Sequence, residues 1–271
     1  MRTSIFLHFA VTWAAAATRD PASSPSIRAG RNPLSHKTDN GDFGVNLDTT
    51  PLNTVLYWIS NLFPFNILVK DAGDLTTIAE NTLVSILGVS TIQDTVTDNQ
   101  CANMTILFAR GTSEVGNVGA VVGPEFFDAV AARLSTGSTL AVRGVEYSAS
   151  VPGFLQGGDP AGSQRMADEV SHVLEVCPDT DLVMAGYSQG GQIVHNAAAL
   201  LDPSLSSLVS STVIFGDPNY PQAVAGVPVS RQLVVCHDLD DICAGGDVIF
   251  LSHLTYAADV DQAADFVMGH F

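Results

Sequence analysis

From residue 101 onward, continuous apolar runs alternate with segments in which apolar residues recur every three or four positions. The runs at 104–109, 140–147, 182–187, 211–215 and 232–236 predict β-strands. The periodic segments at 125–134, 164–176, 189–201 and 260–268 predict amphipathic helices. A strand that is apolar at nearly every position must be covered on both faces. Strands of that kind, separated by helices, predict a parallel sheet between helical layers, an α/β architecture. Sites in such folds form in the loops at the carboxyl ends of the strands. No internal repeat is visible.

The upstream part has a different texture. Arg2, a short apolar stretch at 5–17 and the small residues Ala14, Ala15, Ala16 and Ala17 make a secretory signal cleaved near Ala17; the stretch is too short to span a bilayer. Residues 18 to about 44 are rich in Pro, Ser, Arg, Asn and Gly without periodicity and read as disordered. Two helices are expected at 52–63 and 75–87, in a pro-segment, an interaction tail or a packed extension, among which the sequence does not choose. The chain thus divides into a signal peptide, 1–17, an N-terminal extension, 18–98, and a main α/β domain, 99–271. The expectation is an extracellular monomer with no integral membrane association.

Composition narrows the class of partner. Of 271 residues, 46% are hydrophobic and 14% charged, and the formal net charge is −17. After Lys70 the only basic side chains besides histidines are Arg110, Arg133, Arg143, Arg165 and Arg231. Such a surface repels nucleic acid and anionic membranes and suits a neutral, apolar or polymeric substrate. Cys101, Cys177, Cys236 and Cys243 fit an oxidising compartment. Three pairings are possible. The spacing of Cys236 and Cys243 suggests a small loop clamp, which leaves Cys101 with Cys177. A zinc site lacks its Cys-x-x-Cys spacing, and no metal is expected. Asn103-Met104-Thr105 is a glycosylation acceptor pattern.

The chemistry centres on Gly186-Tyr187-Ser188-Gln189-Gly190, which joins a predicted strand to a predicted helix. A sharp turn there exposes the serine hydroxyl at a helix N-terminus, where amides and dipole favour developing negative charge. A hydroxyl needs a base, and the base needs an orienting acid, in the chain order serine, acid, histidine. Of the downstream histidines, His195 lies two turns along the same helix and cannot reach back. His237 lies inside the cysteine clamp, and His270 is penultimate, where fraying is expected. His253 occupies an apolar loop before the last helix. The pattern alone does not decide among the last three. Acid candidates are Asp217, which is also a turn former, and Asp238, Asp240 and Asp241 in the cysteine clamp; Asp240 and Asp241 are inseparable at this level. One oxyanion donor is the backbone amide of Gln189, and the other belongs to the polar loop Arg110-Gly111-Thr112-Ser113-Glu114-Val115-Gly116-Asn117.

With these residues assembled, the stretch from Cys101 to Tyr256 resembles the cutinase family of secreted serine esterases. The matching segments are 109–117, 186–191, the Cys236–Cys243 loop and Ser252-His253-Leu254-Thr255-Tyr256. The region before Asn99 has no part in this resemblance. It implies a compact α/β-hydrolase fold around a five-stranded parallel sheet without a lid, and hydrolysis of esters in cutin and in short-chain compounds without a cofactor. It implies Ser188 as nucleophile, Asp240 as acid, His253 as base, and Thr112 and Gln189 as oxyanion donors, the Thr112 hydroxyl included. The pairings Cys101–Cys177 and Cys236–Cys243 match as well. One departure stands out: glycine usually precedes the acid, and here Leu239 does, with Asp241 next in line to share or take the role. Flanking apolar residues, Val151, Pro152, Phe154, Val248, Ile249, Phe250 and Leu251, are candidates to meet an acyl chain. The competing readings are an acetylxylan esterase, which is similar in fold, and a wall- or surface-binding protein on an inactive scaffold.

Overall fold

The computed structural model describes residues 67–71, 81, 84–85, 88–98 and 100–271, all within the compact unit Asn46–Phe271. The signal peptide expected at 1–17, the stretch at 18–44 expected to lack order, the helix expected at 52–63 and most of that expected at 75–87 lie outside the described residues.

The strands are β1 (Ile67–Leu68), β2 (Met104–Ala109), β3 (Leu140–Gly144), β4 (Asp181–Tyr187), β5 (Ser211–Phe215), β6 (Gln232–Val235) and β7 (Val248–Ile249). The helices are α1 (Gly123–Ala131), α2 (Val151–Leu155), α3 (Pro160–Val176), α4 (Gln189–Leu200), α5 (Pro203–Ser206) and α6 (Val260–Met268). Five strands form one parallel sheet in the order β3-β2-β4-β5-β6. The chain steps outward from β2 to β3, then returns past β2 to β4. The carboxyl ends of β2 and β4 therefore flank the switch point at which crevices open in such sheets.

The residues explain the layers. Met104, Ile106 and Phe108 of β2, with Val183, Ala185 and Tyr187 of β4, pack against α1 and α6 through Phe126, Val130, Val260 and Val267. The intervening Leu107, Leu182 and Met184 pack on the opposite face against α3 and α4 through Met166, Val170, Ile193 and Val194. Both faces are buried, so these strands appear in the sequence as unbroken apolar runs. Helix α3 starts four residues before its apolar period suggests, because Asp159 caps it by accepting from the Ala161 and Gly162 amides and Pro160 fits its first turn. Strand β3 ends at Gly144; beyond it the Tyr147 carbonyl accepts from the Arg110 guanidinium.

Residues upstream of β2 are knit into this unit. Thr95 N donates to Val142 O at 2.8 Å, Gly144 N donates to Gln93 O at 3.0 Å, and Arg143 meets Asp94 at 2.9 Å, so this segment covers the outer edge of β3. Strand β1 pairs antiparallel with β7, Ile67 opposite Ile249 and Leu68 opposite Val248. Val69 follows, buried with Phe154 and Ile242. The disulfides are Cys101–Cys177, at the amino end of the sheet, and Cys236–Cys243, just beyond β6.

Candidate active site

Ser188 ends β4 and begins α4 with φ 55° and ψ −118°, a conformation that non-glycine residues avoid at a cost of about 1–3 kcal/mol. Packing enforces it. A Cβ on Gly186 would lie 2.4 Å from the Gly190 carbonyl, and one on Gly190 would lie 1.9 Å from Ala109 O. Glycine at both positions lets β4, α4 and the end of β2 approach closely enough to make the turn. The Ser188 amide donates to Phe215 O at 2.9 Å, and its carbonyl accepts from Gly191 N at 2.8 Å.

His253 lies in a 3-10 turn, Leu251–Leu254, after β7. Its Nε2 is 2.9 Å from Ser188 Oγ and its Nδ1 is 2.8 Å from Asp240 Oδ2. The three residues are 6%, 2% and 4% exposed for Ser188, His253 and Asp240, so the relay is shielded from water. Tyr187 holds the imidazole from below: the rings stack with centroids 5.2 Å apart, and Tyr187 Oη donates to His253 O at 2.8 Å. Asp240 Oδ1 accepts from Ile242 N at 3.0 Å, and Oδ2 also accepts from Tyr256 Oη at 2.5 Å. Burial pushes this carboxyl up. The His253 hydrogen bond and charge, the Tyr256 hydroxyl and the Ile242 amide outweigh it and hold the group below the usual carboxylate range.

The other candidates go elsewhere. Asp241 Oδ2 accepts from Val248 N at 3.0 Å and braces the entry to β7, whereas Asp238 is exposed. Asp217 is buried against His195, Oδ2 to Nε2 at 2.9 Å, behind α4. His237 bonds to Asp259 and to Ser252 O. The His270 ring bonds to Phe266 O and Ser230 O, away from Ser188. The unusual Leu239 has φ 67° and is 88% exposed. Its left-handed backbone turns Asp240 inward and Leu239 outward, which explains why glycine suits that position.

The loop after β2 faces the same point. Gly111 N donates to Glu114 Oε2 and Ser113 N to Ala149 O, whereas the Thr112 amide between them meets no acceptor among the described residues. Gln189, at the first position of α4, has an amide with no partner inside the helix. Its side-chain Nε2 donates to Ser150 O at 2.8 Å and to Thr112 Oγ1 at 3.1 Å. Ser150 O can only accept, so the amide orientation is set. Thr112 Oγ1 is then an acceptor in that bond, and its own hydrogen remains free to donate. Among the described residues no group of three or more His, Cys, Asp or Glu is arranged to hold a metal ion.

Sequence reasoning assigned no role to Glu114, Tyr187 or Tyr256. Glu114 is buried, with its carboxylate accepting from the Gly111, Ala120 and Val121 amides. Nothing in the sequence singled it out, because an acidic residue in the polar loop 110–117 is ordinarily solvated; the three amides that close on it satisfy the charge that burial would otherwise make costly.

A family model described as Cutinase matches residues 100–271. A cutinase of Hypocrea jecorina, strain QM6a, is 45% identical over 221 residues, covering 82% of this chain and 87% of that protein. A cutinase of Botryotinia fuckeliana is 54% identical over 167 residues, covering 62% of this chain and 82% of that protein. The solved structure of Trichoderma reesei cutinase in complex with a C11Y4 phosphonate inhibitor matches with a TM-score of 0.69 at 47% identity, covering 74% of this chain and 90% of that one. An alignment of 221 residues is longer than the 99–271 stretch, so the likeness extends upstream of Asn99, where the sequence motifs alone had shown none.

Proposed function

The chain belongs to the cutinase family and is a carboxylic ester hydrolase, and from that premise we propose that it cleaves esters of cutin and of short acyl chains through an acyl-enzyme on Ser188. The observation that carries this reading is the shielded relay from Ser188 Oγ through His253 to Asp240. His253 Nε2 takes the hydroxyl proton as Ser188 Oγ attacks the ester carbonyl. Asp240 holds the Nδ1–H tautomer and stabilises the imidazolium. The carbonyl electrons move onto oxygen, which the Thr112 and Gln189 amides and the Thr112 hydroxyl receive. Collapse expels the alcohol, protonated by His253; water then adds through the same base and releases the acid. These steps call on no metal or organic cofactor.

An apolar chain has a place beside this centre. A cavity of about 580 Å³ is lined by Leu239, Ala244, Phe250 and Leu251 with Asp238, Asp240, Asp241 and Ser252. Of the apolar candidates, Phe154 is buried with Val69, and Val151 and Ile249 pack against that cluster; of Pro152, Val248, Phe250 and Leu251, only the last two line the cavity, which makes them the better acyl contacts. Two disulfides support an extracellular setting, reached through the signal at 1–17, and we propose that the enzyme acts there as a monomer. Among the described residues no helix is long and apolar enough to cross a membrane.

The test compares the wild type and Ser188→Ala on p-nitrophenyl butyrate, a cutin film and acetylated xylan. The wild type should release hydroxy fatty acids from the film, and Ser188→Ala should lose about 10³-fold or more on every ester. Full activity in the variant refutes the nucleophile. Acetate release from xylan, with neither cutin monomers nor butyrate turnover, replaces the substrate assignment by acetylxylan.

A further inference from the structure

We infer that Tyr256 is a positioning residue for the acid of the triad, and that the pair His237–Asp259 holds Tyr256 in place. This rests on the reading of Ser188, His253 and Asp240 given above.

The hydrogen-bond logic allows one arrangement. Tyr256 Oη accepts from His237 N at 3.0 Å, and its own single hydrogen is therefore free for Asp240 Oδ2, 2.5 Å away. Cys243 Sγ, in the small disulfide, is the other atom near that hydroxyl, at 3.6 Å. Oδ2 is the same oxygen that faces His253 Nδ1. With the Ile242 amide on Oδ1, three donors define the carboxylate plane, and rotation about the Asp side chain would break at least one of them. The phenol is fully buried. A hydroxyl at this depth is costly unless bonded, so it marks a site that uses its proton.

A second layer restrains the ring. His237 stacks on Tyr256 with centroids 4.1 Å apart and planes 19° from parallel. Its Nε2 meets Asp259 Oδ2 at 2.6 Å and its Nδ1 meets Ser252 O at 2.7 Å. Ser252 directly precedes His253, so this one imidazole ties the acid loop, the tyrosine and the base loop together. The titratable groups facing the cluster are thus His253, Asp240, His237 and Asp259, with the Tyr187 phenol stacked on the His253 ring.

The Tyr256 hydroxyl also sets the strength of the acid. By drawing charge from Oδ2 it weakens the hold of Asp240 on an imidazolium at position 253. Tyr256→Phe removes that donor and keeps the ring. The expected result is a fall in kcat of about tenfold to a hundredfold on p-nitrophenyl butyrate, with KM within about twofold. The acid limb of kcat/KM should move to higher pH by about half a unit, because the unshared carboxylate favours the protonated base. A role in packing alone would not move that limb. Wild-type kcat and an unmoved limb in a folded Tyr256→Phe overturn the inference. If that variant fails to fold, Asp259→Asn, which loosens His237 and leaves the triad side chains intact, carries the test: the same direction of change supports the inference and a wild-type profile overturns it. Asp240→Asn separates the two readings. Wild-type activity there would remove the triad itself, whereas a slow Asp240→Asn beside a wild-type Tyr256→Phe would remove only the role assigned to Tyr256.

Discussion

Replacing Glu114 by Gln tests whether a buried carboxylate sets the oxyanion loop. The side chain is 5% exposed, and its two oxygens take Gly111 N at 2.6 Å, Ala120 N at 3.1 Å and Val121 N at 3.0 Å. Glutamine has the same shape but one acceptor oxygen. Its best orientation keeps that oxygen on Ala120 and Val121 and sets an NH₂ against the Gly111 N–H, donor facing donor. A hydrogen bond to a charged group contributes about 1.5–3 kcal/mol, and an orphaned buried donor costs about 1–3 kcal/mol. With the two surviving bonds weakened by loss of charge, the net destabilisation should be roughly 2–4 kcal/mol, below the stability of an ordinary domain. For a domain of this size that lowers Tm by about 5–15 °C. Gly111 adjoins Thr112, so the same change loosens the oxyanion donor proposed there. Complete loss of one donor costs about 10²–10³ in kcat, and a loosened one should cost about tenfold with KM nearly unchanged. Thermal unfolding followed by circular dichroism and steady-state kinetics on p-nitrophenyl butyrate measure both effects. A Tm within about 1 °C of wild type would refute the energetic argument, and an unchanged kcat in a destabilised variant would refute its link to catalysis.

Two further outcomes follow from strained or poorly solvated groups. Burial pushes the Glu169 carboxyl up to about 7, and its Oε2 has no hydrogen-bond partner among the described residues. The folded chain then holds this proton over a range in which the unfolded chain has lost it, so stability falls as pH rises from about 4.3 through about 7. Discounted for solvent screening, the penalty at pH 8 is about 1–2 kcal/mol, and Glu169→Gln should raise Tm at pH 8 but not near pH 4; an equal shift at both values would exclude it. Leu239→Gly should relieve the left-handed backbone strain, offset in part by the greater freedom of glycine in the unfolded chain, for a net gain of about 0.5–1 kcal/mol in urea unfolding. A loss of stability there would show that Leu239 packs more than its exposure suggests.

What could be read from residues alone follows from how far each determinant reaches along the chain. Apolar runs identify β2, β4 and β5 because helices cover both sheet faces, and the strand–serine–helix junction is a local pattern. Asp240 and Asp241 are chemically alike neighbours, and only the turn at Leu239 decides which points toward His253. The Tyr256 bond spans 16 residues and the Tyr187 bond to His253 spans 66, so neither leaves a local trace. Strand β1 has two residues, too few for any periodicity, and its partner β7 is equally short. Tyr147 continues an apolar run in the sequence, yet its carbonyl is taken by Arg110 from another loop.

The ladder between β1 and β7 bears on how the polypeptide can be shortened. Proteolytic trimming or a recombinant start point placed before Ile67 keeps the ladder, whereas one at Asn99 discards Val69 and strips Ile249 and Phe154 of their cover a few residues from the base. A truncated product would carry a sticky, unpaired margin along β7, and self-association would set in there.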